Sequence, residues 1–219
     1  MTNLALYDTW IAELYNHEEE DGIWAFDYSG ELDTLEDETV LDLFSTMCEN
    51  FDKDVSQYTN WQITEGLKYI LSTDRSDMSR AFSNDQVWID SRLSAIRSIP
   101  ALFEQCFQQR CSNSMFGSVQ NDNPLNDICY EFWVIGALGF CSGLNDEKAL
   151  GKAYVKVMRE CVANTNTACS QSGIRGLARL SGSVVSAKNA LNDLVSQAYF
   201  KHPELREYAL KASEQKIHT

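Results

Sequence analysis

Apolar residues fall at three- and four-residue spacing along most of this chain, the period of helices that bury one face. Leu4, Tyr7, Ile11, Leu14 and Tyr15 predict a first helix over residues 3–15. A second starts near Thr34 and Asp37 and buries Val40, Leu41, Phe44, Met47, Cys48 and Phe51, with Glu36, Asp37 and Glu38 where the positive end of its dipole favours carboxylates. Asn60 is placed to cap a third, whose buried face is Ile63, Leu67, Ile70 and Leu71. Residues 72–84 read as a polar connection with one helical turn over 78–82. The stripe Ile89, Leu93, Ile96, Phe103, Cys106, Phe107 continues across Pro100, so residues 85–110 predict one kinked helix or two abutting ones. Residues 17–33 carry charges, glycines and aromatics without a helical period and read as a loop pinned by Trp24, Phe26 and Tyr28.

After a Ser- and Asn-rich loop over 111–123, Asn123-Pro124 marks a helix entry: Asn caps, and Pro takes the first position, where its missing N–H costs nothing. From there the chain matches itself at a shift of 40 residues. A helix over 127–140, a break at Ser142-Gly143 and a helix over 145–161 correspond to a helix over 167–180, a break at Ser181-Gly182 and a helix to 199. Cys129 falls on Cys169, Gly136 on Gly176 and Phe140 on Leu180, and Glu65-Gly66-Leu67 reads as the trace of a third copy. A last helix opens at His202-Pro203 and carries Leu205, Tyr208, Ala209 and Ala212. Two antiparallel helices per unit of about 40 residues are the signature of HEAT and armadillo arrays, where stacked neighbours cover the apolar face each hairpin exposes alone. The expected fold is all-α, either a HEAT/armadillo-like α-solenoid or an irregular helical bundle of about nine or ten helices, with Gly136 and Gly176 as points of close helix approach. One helical domain over residues 1–219 is expected, comprising acidic N-terminal helices and loop (1–60), central helices (61–124) and HEAT-like hairpins (125–219).

The segment Cys169-Ser-Gln-Ser-Gly-Ile-Arg-Gly-Leu-Ala-Arg179 resembles a group of mostly uncharacterised bacterial HEAT-like proteins with the pattern Cys-x-Glu-Ser-Ala-Leu-His-Gly-Leu-Gly-His. Cys169, Ser172, Gly176 and Leu177 match it; Gln171 stands for Glu, and Arg175 and Arg179 replace the two histidines. Glu131 after Cys129 fits the Glu position in the preceding unit, so the resemblance covers residues 125–215. It implies a structural rather than catalytic motif. Because some such helical-repeat proteins act as immunity proteins against bacterial toxins, it also implies toxin neutralisation as a role.

Composition adds a charge argument. The chain has 219 residues, 44% of them hydrophobic, enough for a sizeable core. Its three prolines and the lack of a long Gly/Ser run argue against a flexible interdomain linker. The net charge of −14 is carried by the N-terminal part. Residues 1–60 hold sixteen acidic residues and the single basic Lys53, whereas residues 61–219 hold sixteen acidic and seventeen basic ones. Neutralising phosphates needs clustered Lys and Arg, so neither nucleic acid nor an anionic membrane surface is the expected partner. No basic-then-apolar leader opens the sequence, and the richest apolar stretch, residues 132–140, is too short to span a bilayer, so a cytoplasmic location is expected. Seven cysteines form no even disulfide framework and read as free, buried thiols.

Candidate chemistry is sparse. His17-Glu18-Glu19-Glu20-Asp21 has metal-binding residue types, but five consecutive side chains do not converge on one ion. Cys106 and Cys111, and Cys129 and Cys141, lack the C-x-x-C spacing of a zinc or redox site. No nucleophile elbow, phosphate loop or H-E-x-x-H occurs. Arg175 and Arg179 lie four apart on one helix face, suited to receiving an anionic group or to pairing with Glu131 or Glu160. The expectation is a noncatalytic binding protein without cofactor or metal, an immunity protein or similar inhibitor whose acidic N-terminal surface meets a basic protein. Its expected contact residues are Glu18, Glu19, Glu20, Asp21, Trp24, Phe26 and Tyr28, with Trp10 as a further aromatic anchor, and Arg175 and Arg179 on the array. The alternatives are an enzyme using the acidic loop with a divalent ion, and a helical-repeat scaffold.

Overall fold

The computed structural model describes residues 4–19, 34–118, 122–196, 200 and 202–217. Among them the secondary structure is all helical. The elements are α1 (Leu4–Tyr15), α2 (Asp37–Asp54), α3 (Asn60–Leu71), a 3-10 turn (Met78–Phe82), α4 (Ile89–Leu102), a π-helical turn (Phe103–Phe107), α5 (Gln108–Arg110), α6 (Pro124–Glu131), α7 (Glu147–Val162), α8 (Thr167–Leu180), α9 (Val185–Ser196) and α10 (Pro203–Ser213). No helix among the described residues is long and apolar enough to cross a membrane.

Local chemistry accounts for most helix ends. The cap of α3 is Thr59 rather than Asn60: its hydroxyl accepts from the Gln62 N–H while the Gln62 side chain accepts from the Thr59 N–H, a reciprocal capping box. Asn60 instead reaches across the fold, its Nδ2 donating to Asn123 Oδ1 at 3.2 Å. Asn123 caps α6 through the Leu125 N–H, with Pro124 in the first turn as expected. Pro100 lies inside α4, and the chain passes straight into the π-helical turn and α5, so the two abutting helices form one rod with a wide turn after the proline. Gln105 on that turn serves α2, whose backbone leaves the helical region at Asn50. Its amide donates to Glu49 O and accepts from Asp52 N, each at 3.0 Å.

The predicted stripes of α1, α2 and α3 are buried, except that Leu4 is exposed. On α4 the buried residues are Arg92, Ala95, Ile96, Ser98, Ile99 and Leu102, with Ile89 and Leu93 only half covered. α2 packs on α4, α4 on α7, and α7 on α8; α3 leans on α1 and α6. Arg92, 1% exposed, clamps the α4–α7 contact, with Nη2 at 2.8 Å from Asp146 and Nη1 at 3.5 Å from Asp85. Asp85 also accepts the Asn145 N–H. Replacing Arg92 with Leu should cost about 2 kcal/mol, since it removes the charged hydrogen bonds that tie the partly exposed Asp85 and Asp146 to α4. Urea unfolding of the variant measures this loss directly.

The 40-residue correspondence carries through the backbone only in part: α7 and α9 each follow a break as expected, but the first helices of the two units differ. The helix predicted over 127–140 ends at Glu131, while its counterpart α8 runs to Leu180. Residues 132–139 turn instead, with Gly136 at φ +70° and Gly139 at φ +79°. Gly136 is therefore not a helix-contact glycine. It passes so close to the Leu71 carbonyl that any Cβ would collide with that oxygen, and its left-handed backbone is one that glycine adopts without cost. Gly176 does sit at a helix contact, where a Cβ would lie 2.8 Å from the Trp133 ring.

α8 is the centre of the C-terminal half. It packs against α6, α7, α9 and α10, and every residue from Thr167 to Leu180 except Arg179 is buried. A helix covered on all sides has no solvent face for its polar residues, so Ser172, Arg175 and Arg179 must find partners within the fold. They find them at the end of α6. A helix leaves its last carbonyls without intrahelical donors. Ser172 Oγ donates to Cys129 O at 2.5 Å and Arg175 Nη1 to Tyr130 O at 3.2 Å, while Arg179 Nη1 reaches Val134 O, beyond the helix, at 3.3 Å. The polar side chains of α8 thus cap the end of α6 from a neighbouring helix.

Candidate functional site

Two regions hold the residues singled out from the sequence. The first is the acidic N-terminal part. Glu18 and Glu19 are exposed just beyond α1, while Glu20, Asp21, Trp24, Phe26 and Tyr28 lie outside the described residues, as does most of the loop over 17–33. His17 Nε2 lies 2.7 Å from Glu13 O, and the His17 carbonyl accepts from the Gln62 side chain. Trp10 is no surface anchor, because it is fully buried beside Tyr7 in the core.

The exposed acidity of this half is organised by α2. Glu38, Asp42, Glu49 and Asp52 are all exposed and recur at spacings of four, seven and three, which places them along one side of the helix. Lys53 is the one basic residue on α2, and its ion pair is with Asp54 at 3.9 Å. Beside the first turn of α2 stands Trp88, 74% exposed, whose backbone N–H donates to Glu38 Oε1 at 3.4 Å. A hollow of about 510 Å³ opens there, lined by Glu36, Asp37, Glu38, Asn84 and Val87 among others. Asn84 donates to Asp37 and fixes that wall. Trp88 was not singled out from the sequence. Its signal is positional: it precedes the stripe Ile89, Leu93, Ile96 by one residue and so leaves the buried face.

The second region is the contact of α6 with α8. Arg175 pairs with Glu131 at 2.7 Å, the partner anticipated from the sequence, whereas Glu160 pairs with Lys156 at 3.9 Å. The Arg175 guanidinium lies over the Tyr130 ring, 3.9 Å from its centroid, and Phe116 stacks on the same ring at 4.1 Å with planes 3° apart. Two groups this close to one centroid occupy opposite faces, so Tyr130 is sandwiched between cation and aromatic. Arg179 is half buried and has no carboxylate in ion-pair contact among the described residues. Burial and the neighbouring Arg175 charge hold its pKa below the ordinary guanidinium value, with Glu131 opposing them.

All seven cysteines are free and buried. Cys111 and Cys141 lie just outside helices rather than on helix faces. Cys129 touches both Cys111 and Cys169, and burial followed by these thiol neighbours pushes its pKa up. Among the described residues, Glu65 is a buried carboxyl with a shifted pKa. Burial alone would raise its pKa, but hydrogen bonds from Lys68 at 2.8 Å and Arg75 at 2.6 Å outweigh that and lower it. Among the described residues no three His, Cys, Asp or Glu side chains gather closely enough to hold a metal ion. Compared with protein-family models, characterised proteins and solved structures, the chain has no match.

Proposed function

We propose that this protein is a noncatalytic binding protein that recognises a basic protein through the solvent face of α2 and Trp88, in the manner of an immunity protein neutralising a toxin. The observation that carries this reading is the pairing of a carboxylate stripe, Glu38, Asp42, Glu49 and Asp52, with a tryptophan left 74% exposed beside it. Like charges in a row steer an oppositely charged partner and speed its encounter. An exposed indole supplies what charge alone lacks, a large apolar anchor whose burial is worth about 2 kcal/mol or more in a typical interface hot spot. It also offers a face for an arriving Arg or Lys. Glu18 and Glu19 extend the acidic surface beyond α1. The resemblance of residues 169–179 to the HEAT-like pattern favours the immunity type. We read the architecture as an irregular bundle centred on α8, with the N-terminal helices presented at its side.

The test uses the protein's physiological partner, identified by crosslinking in cells and then purified. Trp88→Ala should weaken the complex by about 30-fold, chiefly through faster dissociation. Charge reversal at Glu38, Asp42 and Glu49 should slow association and flatten its dependence on salt. A partner that is acidic, or that binds both variants as tightly as the wild type, would sink this reading.

A further inference from the structure

We propose that Arg175, Arg179 and the Tyr130 hydroxyl form a receptor for a single carboxylate carried on an apolar body. The residues of this site lie on α6 and α8 rather than on the α2 face, although all three helices pack on the π-helical turn between them.

The charge count is the starting point. Two guanidinium groups project from successive turns of α8, and among the described residues one carboxylate, Glu131, makes an ion pair there, with Arg175 alone. One positive charge is therefore in surplus, in a place partly withdrawn from water. Arg175 is 7% exposed; its Nη1 is engaged by Glu131 and Tyr130 O, yet its Nε meets no acceptor. Arg179 makes one protein hydrogen bond, to Val134 O, which leaves most of its planar donor fork unused. A monoanion balances this surplus, whereas a doubly charged phosphate overshoots it. Arginine also matches the flat, two-oxygen edge of a carboxylate with two parallel hydrogen bonds.

The surroundings supply the rest of the recognition. Tyr208 donates its hydroxyl proton to the Tyr130 oxygen at 3.3 Å, so the Tyr130 proton is left to point at an incoming oxygen. Phe116, 42% exposed, continues the aromatic surface beyond Tyr130 and offers the ligand body an apolar wall. The loop that carries it is fixed in advance. Its Phe116 N–H donates to Gln171 Oε1 at 2.7 Å, Asn113 accepts from the Thr167 N–H at 2.7 Å, and Ser112 and Asn126 exchange two bonds of 2.9 Å each. A wall held this way costs little further ordering when a ligand arrives.

Benzoate is the first probe, with chloride at matched ionic strength as its reference. With a dissociation constant of about 10 mM, ~50 mM benzoate raises the thermal midpoint of the wild type by about 3 °C. Arg179→Gln removes that increment, and Tyr130→Phe, which keeps the stacked ring and loses only the hydroxyl, weakens benzoate binding several-fold. The tripeptide Gly-Gly-Phe, free or amidated at its C-terminus, separates the two sources of such a group. Binding of the free form alone assigns the site to a chain end, and binding of benzoate without either peptide assigns it to a small acid. No benzoate or peptide response at all, a response to phosphate alone, or an undiminished benzoate response in Arg179→Gln and Tyr130→Phe overturns the proposal.

Discussion

Raising the pH from 8 to 10.5 is expected to destabilise the protein strongly, lowering its urea midpoint at every step. Burial pushes the thiols of Cys48, Cys106, Cys129, Cys141 and Cys161 up, that of Cys141 to about 11. In an unfolded chain a thiol ionises near about 8.5. The folded value is the higher one, so each group's contribution is fully present below about 8.5 and is lost as the pH climbs from there toward the folded value. Each group that stays protonated in the fold loses at most about 1.4 kcal/mol per pH unit above that point, so the five together should remove several kcal/mol by pH 10. That is a large part of the stability of a typical domain. Tyr7, Tyr15, Tyr154 and Tyr208, also raised by burial, add to the loss above about pH 10. Urea midpoints measured under reducing conditions at successive pH values should fall steadily above 8.5. A midpoint that holds constant from pH 7.5 to 9.5 would show that these thiols are solvated. In the folded protein at neutral pH, none of the seven should react with Ellman's reagent, and all should do so in urea.

The second large effect is expected from a single methyl group. Gly173 sits where α8 crosses α7, and a Cβ there would lie 2.6 Å from Met158 O and 2.7 Å from Val162 N. Both are backbone atoms, so the two helices must move apart to admit it. Gly→Ala in an unhindered helix is stabilising by about 1 kcal/mol, and here overpacking reverses that sign. Gly173→Ala should cost about 3 kcal/mol. Gly182 is the control, since a Cβ at that position meets nothing within 4 Å. Gly182→Ala should leave the urea midpoint nearly unchanged, and a loss at Gly182 as large as at Gly173 would mean that something other than the crossing is responsible.

What the residues disclosed follows from how each helix meets water. α2 has one wet side and one dry side, so Val40, Leu41, Phe44, Met47, Cys48 and Phe51 stand out at helical spacing and all are buried. Buried on every side, α8 shows no such contrast, and its Ser172 and Arg175 look like surface residues until the carbonyls of α6 are placed beside them. The end of α6 was hidden for a related reason. Residues 132–140 are apolar, and an apolar run reads alike as a buried helix or a buried turn. Only the nearness of Leu71, 65 residues away in sequence, explains why the chain turns at Gly136. Other features were within reach. Thr59 and Gln62 carry the spacing of a capping box, and the Arg175–Glu131 pair was anticipated. The candidate site divides in the same way: charge was legible by counting, but the exposure of Trp88 and the burial of Trp10 depend on neighbours from other helices.

The polar stripe of α8 also bears on which arrangement of helices the chain selects. An entirely apolar central helix can slide by one turn, about 5.4 Å, and exchange one set of greasy contacts for another of similar worth. Here such a slip would pull Ser172 away from Cys129 O and Arg175 away from both Tyr130 O and Glu131 at once. Each broken contact leaves a buried dipole or charge without a partner, so the penalties accumulate in a single step. The stripe therefore works as a ratchet tooth on the axis of α8, giving the C-terminal half one stable register.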